Sequence, residues 1–194
     1  MNKEELLEYI EDKTIEIDYN CFFHATKENI NTVERIMTEG IKCAFLRREE
    51  TSQGYNGKYY VSVSKRTNNP KSVYKMFEHF PILVISGIKP LKADNKKRFF
   101  EPFMETIIPL RTSSYSDEYH VFMRIDSSKI TALAYNLYHS LSSENIFDID
   151  RLYFLKQLVL MLEKLEKDIP IYDLKSNREI NKKKVKMLNI DDIS

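Results

Sequence analysis

The residues able to do chemistry in this chain include four histidines, His24, His79, His120 and His139, and two cysteines, Cys21 and Cys43. No histidine sits in a His-Glu-x-x-His or Cys/His cluster, the spacings that bring ligands to one side of a metal, so no metal site is expected. Cys21 and His24 could suggest a thiol and its base, but on a strand positions i and i+3 point to opposite faces. No Gly-x-Ser-x-Gly elbow is present. Only four glycines, Gly40, Gly54, Gly57 and Gly87, occur in 194 residues, far below the usual share of about 7%. They form neither Gly-x-Gly-x-x-Gly nor a P-loop pattern, so a nucleotide would have to be held without a glycine-rich cradle. Three segments stand out instead. They are Phe22-Phe-His24-Ala25-Thr26; Gly57-Lys-Tyr-Tyr60-Val-Ser62, with Ser72 and Tyr74 downstream; and Ser116-Asp-Glu118-Tyr-His120-Val-Phe122.

Each segment needs an element to position it. Asn20–Ala25 reads as a strand ending on His24 and Ala25. Polar residues from Thr26 to Asn31 offer N-cap chemistry, and Ile30, Val33, Ile36 and Met37 then repeat at helical intervals up to Gly40, a glycine placed to stop the helix. Lys58–Ser64 alternates strictly, with Tyr59, Val61 and Val63 on one face and Tyr60, Ser62 and Ser64 on the other. So polar a second face suggests the border of a cleft. Pro70 suits the first turn of a helix over 71–80. Further strands are expected at 82–87, 119–125 and 129–135, where Glu118, His120 and Phe122 share one face. Residues 46–57 read as a loop, and 89–117 as a long connection of the kind that is often functional. A short amphipathic helix opens the chain around Leu6, Leu7 and Ile10. Leu152, Leu155, Leu158, Val159, Leu162 and Leu165 form the apolar stripe of a helix across 148–168, ended by Pro170, with a short strand at Ile171 and Tyr172. A mobile basic tail follows Lys175.

The formal net charge of +1 gives no global pull toward nucleic acid or anionic lipid. Charge is nonetheless uneven: residues 89–98 carry five bases against one acid, and residues 175–186 six against one. Such runs read first as solvated faces. Two cysteines are too few for a disulfide scaffold, no apolar run reaches the ~20 residues of a membrane span, and the N-terminus lacks the order of a signal peptide. A cytoplasmic protein with reduced thiols and no membrane partner is expected, and delivery into another cell is compatible with the same features.

In order and spacing the three segments resemble the His-Tyr-Glu branch of the ADP-ribosyltransferase superfamily, typified by poly(ADP-ribose) polymerases and several bacterial toxin-like transferases. That branch reads His-Gly-Ser/Thr and a Gly-stopped helix, then Gly-x-x-Tyr with a downstream Ser and Tyr, then a strand opening Glu-Tyr-x-Val. The resemblance covers roughly residues 20–135. It implies an α+β fold with a split antiparallel β-sheet core (20–147) and flanking helices. With the N-terminal helical segment (1–19), the C-terminal helix packed on the core (148–174) and the basic tail (175–194) read from spacing and charge, the chain is expected to form a single domain. The resemblance implies an enzyme that uses NAD as substrate, cleaves the nicotinamide–ribose bond and transfers ADP-ribose, singly, to a protein or nucleic-acid acceptor. His24 would bond a ribose hydroxyl, the Ala25 backbone would grip the nicotinamide carboxamide, and Thr26 would touch the adenosine side. Tyr60 would stack on the nicotinamide ring, with Ser62 on its face; Tyr74 would close the other side and Ser72 bond the carboxamide. Glu118 would bind the ribose 2′-hydroxyl and stabilise positive charge as the glycosidic bond breaks. A toxin-like, defence or regulatory role, with an antitoxin or regulatory partner, fits the same resemblance. Ser116 stands where arginine-specific members carry Glu or Gln, so arginine is not the implied acceptor. Ala25 in place of glycine, and Ser72 two rather than three residues before Tyr74, motivate an alternative: a catalytically inactive nucleotide-binding or interaction module on the same fold.

Overall fold

In the computed structural model, residues 3–14, 20–49, 58–65, 80–92, 98–101, 106–109, 118–137, 148–174, 176 and 178–193 are described. Of the helix expected over 71–80, residues 71–79 lie outside these residues, as do Gly54, Gly57, Ser72, Tyr74, His79, Ser116 and His139, while Phe80 is described as a bend outside any helix.

The chain opens with α1 (Lys3–Ile10) and β1 (Glu11–Thr14), then β2 (Phe22–Ala25) and α2 (Ile30–Glu39). Asn29 caps α2 by accepting a bond from the Thr32 N–H at 3.0 Å. Gly40 stops α2 at φ +83°, in the region that glycine enters without a Cβ penalty. Short β3 (Ile41–Lys42) and α3 (Ala44–Arg47) precede β4 (Tyr60–Lys65), β5 (Ile82–Ile85) and β6 (Leu91–Lys92). A hairpin, β7 (Arg98–Glu101) with β8 (Thr106–Pro109), comes before β9 (Glu118–Phe122), β10 (Arg124–Ile125) and β11 (Ile130–Tyr135). The chain continues with α4 (Ile149–Lys164), β12 (Ile171–Asp173), β13 (Arg178–Ile180) and α5 (Lys182–Met187).

Nine strands form one sheet in the order β1-β13-β12-β11-β5-β2-β4-β9-β6. Every pairing in it is antiparallel except β11 with β12. The fold is therefore α+β on a large, mostly antiparallel sheet. Period-two alternation divides the apolar residues between its two faces. Phe22, Val61, Val63, Leu83 and Leu133 join the main core, which also takes Val33 and Met37 of α2 and the stripe of α4. Phe23, Ile82, Val84, Ala132 and Tyr172 form a second cluster.

Three expectations are corrected. The connection 89–117 contains β6, β7 and β8, each too short to announce itself by periodicity and each defined by its pairing partner. The strand expected over 119–125 breaks at Met123, whose φ of +62° divides β9 from β10. The stretch after Lys175 is not a mobile tail. Ile180, Val185, Leu188 and Ile190 lie buried among its lysines, and β13 pairs with β1 through Glu11↔Ile180 and Thr14↔Arg178. The expected N-terminal helical segment thus ends in a strand that the other end of the chain completes.

Candidate functional site

The site begins where two neighbouring strands part. β2 pairs with β5 along its whole length, Phe22↔Ile85 through Ala25↔Ile82, and β4 pairs with β9 over five residues. Between β2 and β4, however, the ladder holds only Phe22↔Lys65 and Phe23↔Ser64. Beyond it His24 and Ala25 form one lip, and Tyr60 to Val63 the other. A cleft of about 800 Å³ opens there, lined by His24, Ala25 and Thr26 from one side and by Tyr60, Val61 and Ser62 from the other. That volume lies in the upper part of the range for small-molecule sites. Five residues singled out in the sequence, His24, Ala25, Thr26, Tyr60 and Ser62, therefore meet at one cavity.

His24 spans the opening. Its Nδ1 lies 2.8 Å from the Ser62 carbonyl oxygen, which can only accept, so Nδ1 carries the proton. Burial holds the imidazole below its usual value; the Ser62 bond pulls the other way, and the charge of Arg47 adds to the lowering. The ring is therefore neutral at physiological pH, and its Nε2 is an acceptor suited to a hydroxyl donor. Thr26 is buried, its N–H donating to the Pro81 carbonyl at 3.0 Å, which fixes the backbone just after Ala25.

Tyr60 stands half-buried on the opposite lip, and burial raises its phenol. Its ring meets His120 edge-on at 6.0 Å and Phe122 at 5.5 Å, a packing that restricts how it can turn. The β4–β9 register explains this neighbourhood, because Tyr60↔Phe122, Ser62↔His120 and Ser64↔Glu118 are directly opposed. Glu118 thus opens the strand next to the tyrosine strand, at a position two pairs from Ser62. Ser72 and Tyr74 lie outside the described residues.

The structure also brings to the cleft residues that the motif reading passed over. Thr32, Arg35, Ile36 and Glu39 line it from α2, and Arg47 and Glu49 from α3 and just beyond. Their signal was present in the helix: with Val33 and Met37 turned to the core, positions 32, 35, 36 and 39 fall on one other face. His120 packs under Tyr60, and strand alternation with Glu118 already marked its face. Among the described residues no group of three or more histidine, cysteine or acidic side chains is arranged to hold a metal ion, and no helix is long and apolar enough to cross a membrane. Comparison of the chain with family models, with curated proteins and with solved structures finds no match.

Proposed function

We propose that the chain is an NAD-dependent mono-ADP-ribosyltransferase, its sheet being the split antiparallel core of that superfamily. The observation that carries this reading is the parting of β2 from β4, which sets His24, Ala25 and Thr26 across one cleft from Tyr60 and Ser62. A neutral His24 with its proton on Nδ1 offers Nε2 to a ribose hydroxyl, the role the resemblance implies for it. Backbone released from the ladder at Ala25 suits a carboxamide, which needs one donor and one acceptor and no side chain. An aromatic face at Tyr60 suits a cationic pyridinium ring.

In the reaction the bond between ribose C1′ and the nicotinamide nitrogen breaks, and its electron pair leaves with neutral nicotinamide. The acceptor nucleophile bonds to C1′ and gives up a proton. Positive charge develops on the ribose in between, so a fixed carboxylate acts where it stabilises the transition state more than the ground state. Glu118 is assigned that role.

The test is nicotinamide release and transfer of labelled ADP-ribose from NAD to candidate protein and nucleic-acid acceptors. Glu118→Gln and Glu118→Ala are expected to lower turnover about 100-fold or more, the loss typical for one electrostatic stabiliser. Tyr60→Ala is expected to weaken NAD binding as well. Equal rates for wild type and Glu118→Ala, both folded by circular dichroism, would overturn the assignment. NAD binding with no turnover by the wild type would mark a nucleotide-binding module in place of an enzyme.

A further inference from the structure

The cleft has a third wall, and it is cationic. In a chain whose formal net charge is +1, the described residues lining this one cavity include Lys27, Arg35, Lys42 and Arg47 against only Glu39 and Glu49. These cations differ in what they already hold. Lys42 Nζ lies 2.6 Å from Glu39, and Arg47 lies 3.4 Å from Glu49. Lys27 and Arg35 make no ion pair with any described residue.

Geometry sets Arg35 apart from an ordinary surface arginine. Two faces of α2 are occupied. Val33 and Met37 are buried in the core, and Glu34 binds Lys164 of α4 at 2.6 Å. The face left carries Thr32 and Arg35, one turn apart, and it is turned to the cleft. Lys27 stands three residues before the helix begins, directly after Thr26 on the His24 lip. A hydroxyl and a guanidinium on α2 thus face the cavity, with the Lys27 ammonium beside them where the His24 lip runs into the helix and with Tyr60 on the opposite lip. The charge of Arg35 reaches the Glu39 carboxylate one turn on, which Lys42 already binds. Two cations that form no ion pair with a described residue match the two negative charges of a diphosphate, and a guanidinium's planar fork fits phosphoryl oxygens.

We infer that this wall is a phosphoryl subsite: Arg35, with Thr32 and Lys27 beside it, takes the diphosphate of a ligand whose remainder lies against His24, Ala25 and Tyr60. The inference deepens the dinucleotide reading and rests on it for the identity of that remainder. It also gives the cleft a direction, with the diphosphate toward α2 and the ring end toward Tyr60.

The experiment titrates wild type, Arg35→Gln, Arg35→Lys and Lys183→Gln with inorganic pyrophosphate, ADP-ribose, NAD and nicotinamide, at low and at physiological salt. Lys183 is exposed on α5, so its substitution controls for the change in net charge. Arg35→Gln is expected to weaken pyrophosphate, ADP-ribose and NAD about ten- to a hundredfold, the span for one hydrogen bond to a charged group. Nicotinamide affinity is expected to stay the same, Arg35→Lys to retain part of the affinity, and Lys183→Gln to change nothing. Arg35-dependent binding of pyrophosphate by a wild type that neither binds NAD nor releases nicotinamide would keep the subsite and overturn the transferase reading. Unchanged pyrophosphate and NAD affinity in Arg35→Gln, with nicotinamide release intact, would overturn the subsite and keep the transferase.

Discussion

His24 is a neutral imidazole because it is half-buried, its ring drawn out of bulk water, and because its one fixed partner is a carbonyl, and both facts have a consequence for pH. The folded ring binds its proton less readily than the unfolded one, whose value is about 6.5. Above that pH neither state is protonated and the full stability is present. As pH falls below it, the unfolded chain takes up a proton that the folded chain resists, so stability is lost. The wild type is therefore expected to unfold at progressively lower temperature between pH 7.5 and pH 5.5. His24→Asn, which keeps an N–H to offer Ser62 but does not titrate, should show a smaller fall. Glu11, whose carboxyl is raised by burial against the lowering bond from Ser176, works in the opposite sense above its usual 4.5, but it is common to both proteins and cancels in the comparison. Parallel melting curves for the two would refute the account of His24. The same residue shows how far a sequence can be read at this scale. Its position at a strand end was legible from the segment Phe22 to Thr26, whereas its proton location depends on the Ser62 carbonyl, 38 residues away.

At the scale of elements, the cleft wall depends on where α2 stops. A Cβ built on Gly40 would lie 2.2 Å from the Ile125 carbonyl oxygen and 3.1 Å from the Ser127 nitrogen, both backbone atoms that cannot swing aside. The positive φ adds about 1–2 kcal/mol for any L side chain. Gly40→Ala should therefore cost at least ~3 kcal/mol, the range of clash and backbone strain combined, and displace the end of α2 that carries Glu39. Gly87 also has a positive φ, +67°, but its nearest neighbour is the flexible end of Lys129 at 3.4 Å, so Gly87→Ala should cost only about 1–2 kcal/mol. Urea unfolding of the two variants measures the difference, and equal costs would refute the close-approach explanation. Gly40 was readable as a helix stop because Val33, Ile36 and Met37 set the period before it. Its second duty, admitting the Ile125 backbone, was not, since no local pattern reports a contact with a chain segment 85 residues on. The same limit hid β6, β7 and β8. Strands of two to four residues carry no alternation long enough to detect, and only their partners define them. The strands β4 and β9, long enough to alternate, were legible together with the face that Tyr60 and Ser62 present.

Across the whole molecule, the two ends of the chain close the sheet on each other. β1 has the sequence Glu-Asp-Lys-Thr and no apolar alternation, so its strand form comes from its partner. Arg178 Nε donates to the Asp12 carbonyl at 2.9 Å, the Asn181 N–H to the Ile10 carbonyl at 2.7 Å, and Asn181 Nδ2 to the Asp12 carboxylate at 2.9 Å. The lysines of 175–186 invite a reading as a solvated run, but the residues that decide the matter are the few apolar ones between them. Ile180 and Val185 are buried in the main core with Leu6 and Ile10 of α1 and the stripe of α4. That core also carries α2, which α4 holds from outside through Lys164 and Glu34, so the last strand and helix support the cleft through two layers of packing. Ile180→Ala removes a side chain with 2% exposure and is expected to cost about 2–5 kcal/mol, the usual range for truncating a buried isoleucine. Val185→Ala acts on the same core and should add to the loss without summing independently, because neighbours in one core are coupled. The exposed Lys183→Ala should change stability by less than about 0.5 kcal/mol. Denaturant unfolding followed by circular dichroism reads all three, and amide exchange adds the decisive contrast. If residues 178–188 pack as described, their amides exchange with the protection of the sheet, and Ile180→Ala loosens β1 together with β13. Rapid exchange throughout this stretch, with Ile180→Ala no more harmful than Lys183→Ala, would return it to a solvated basic tail and leave the sheet to end at β12.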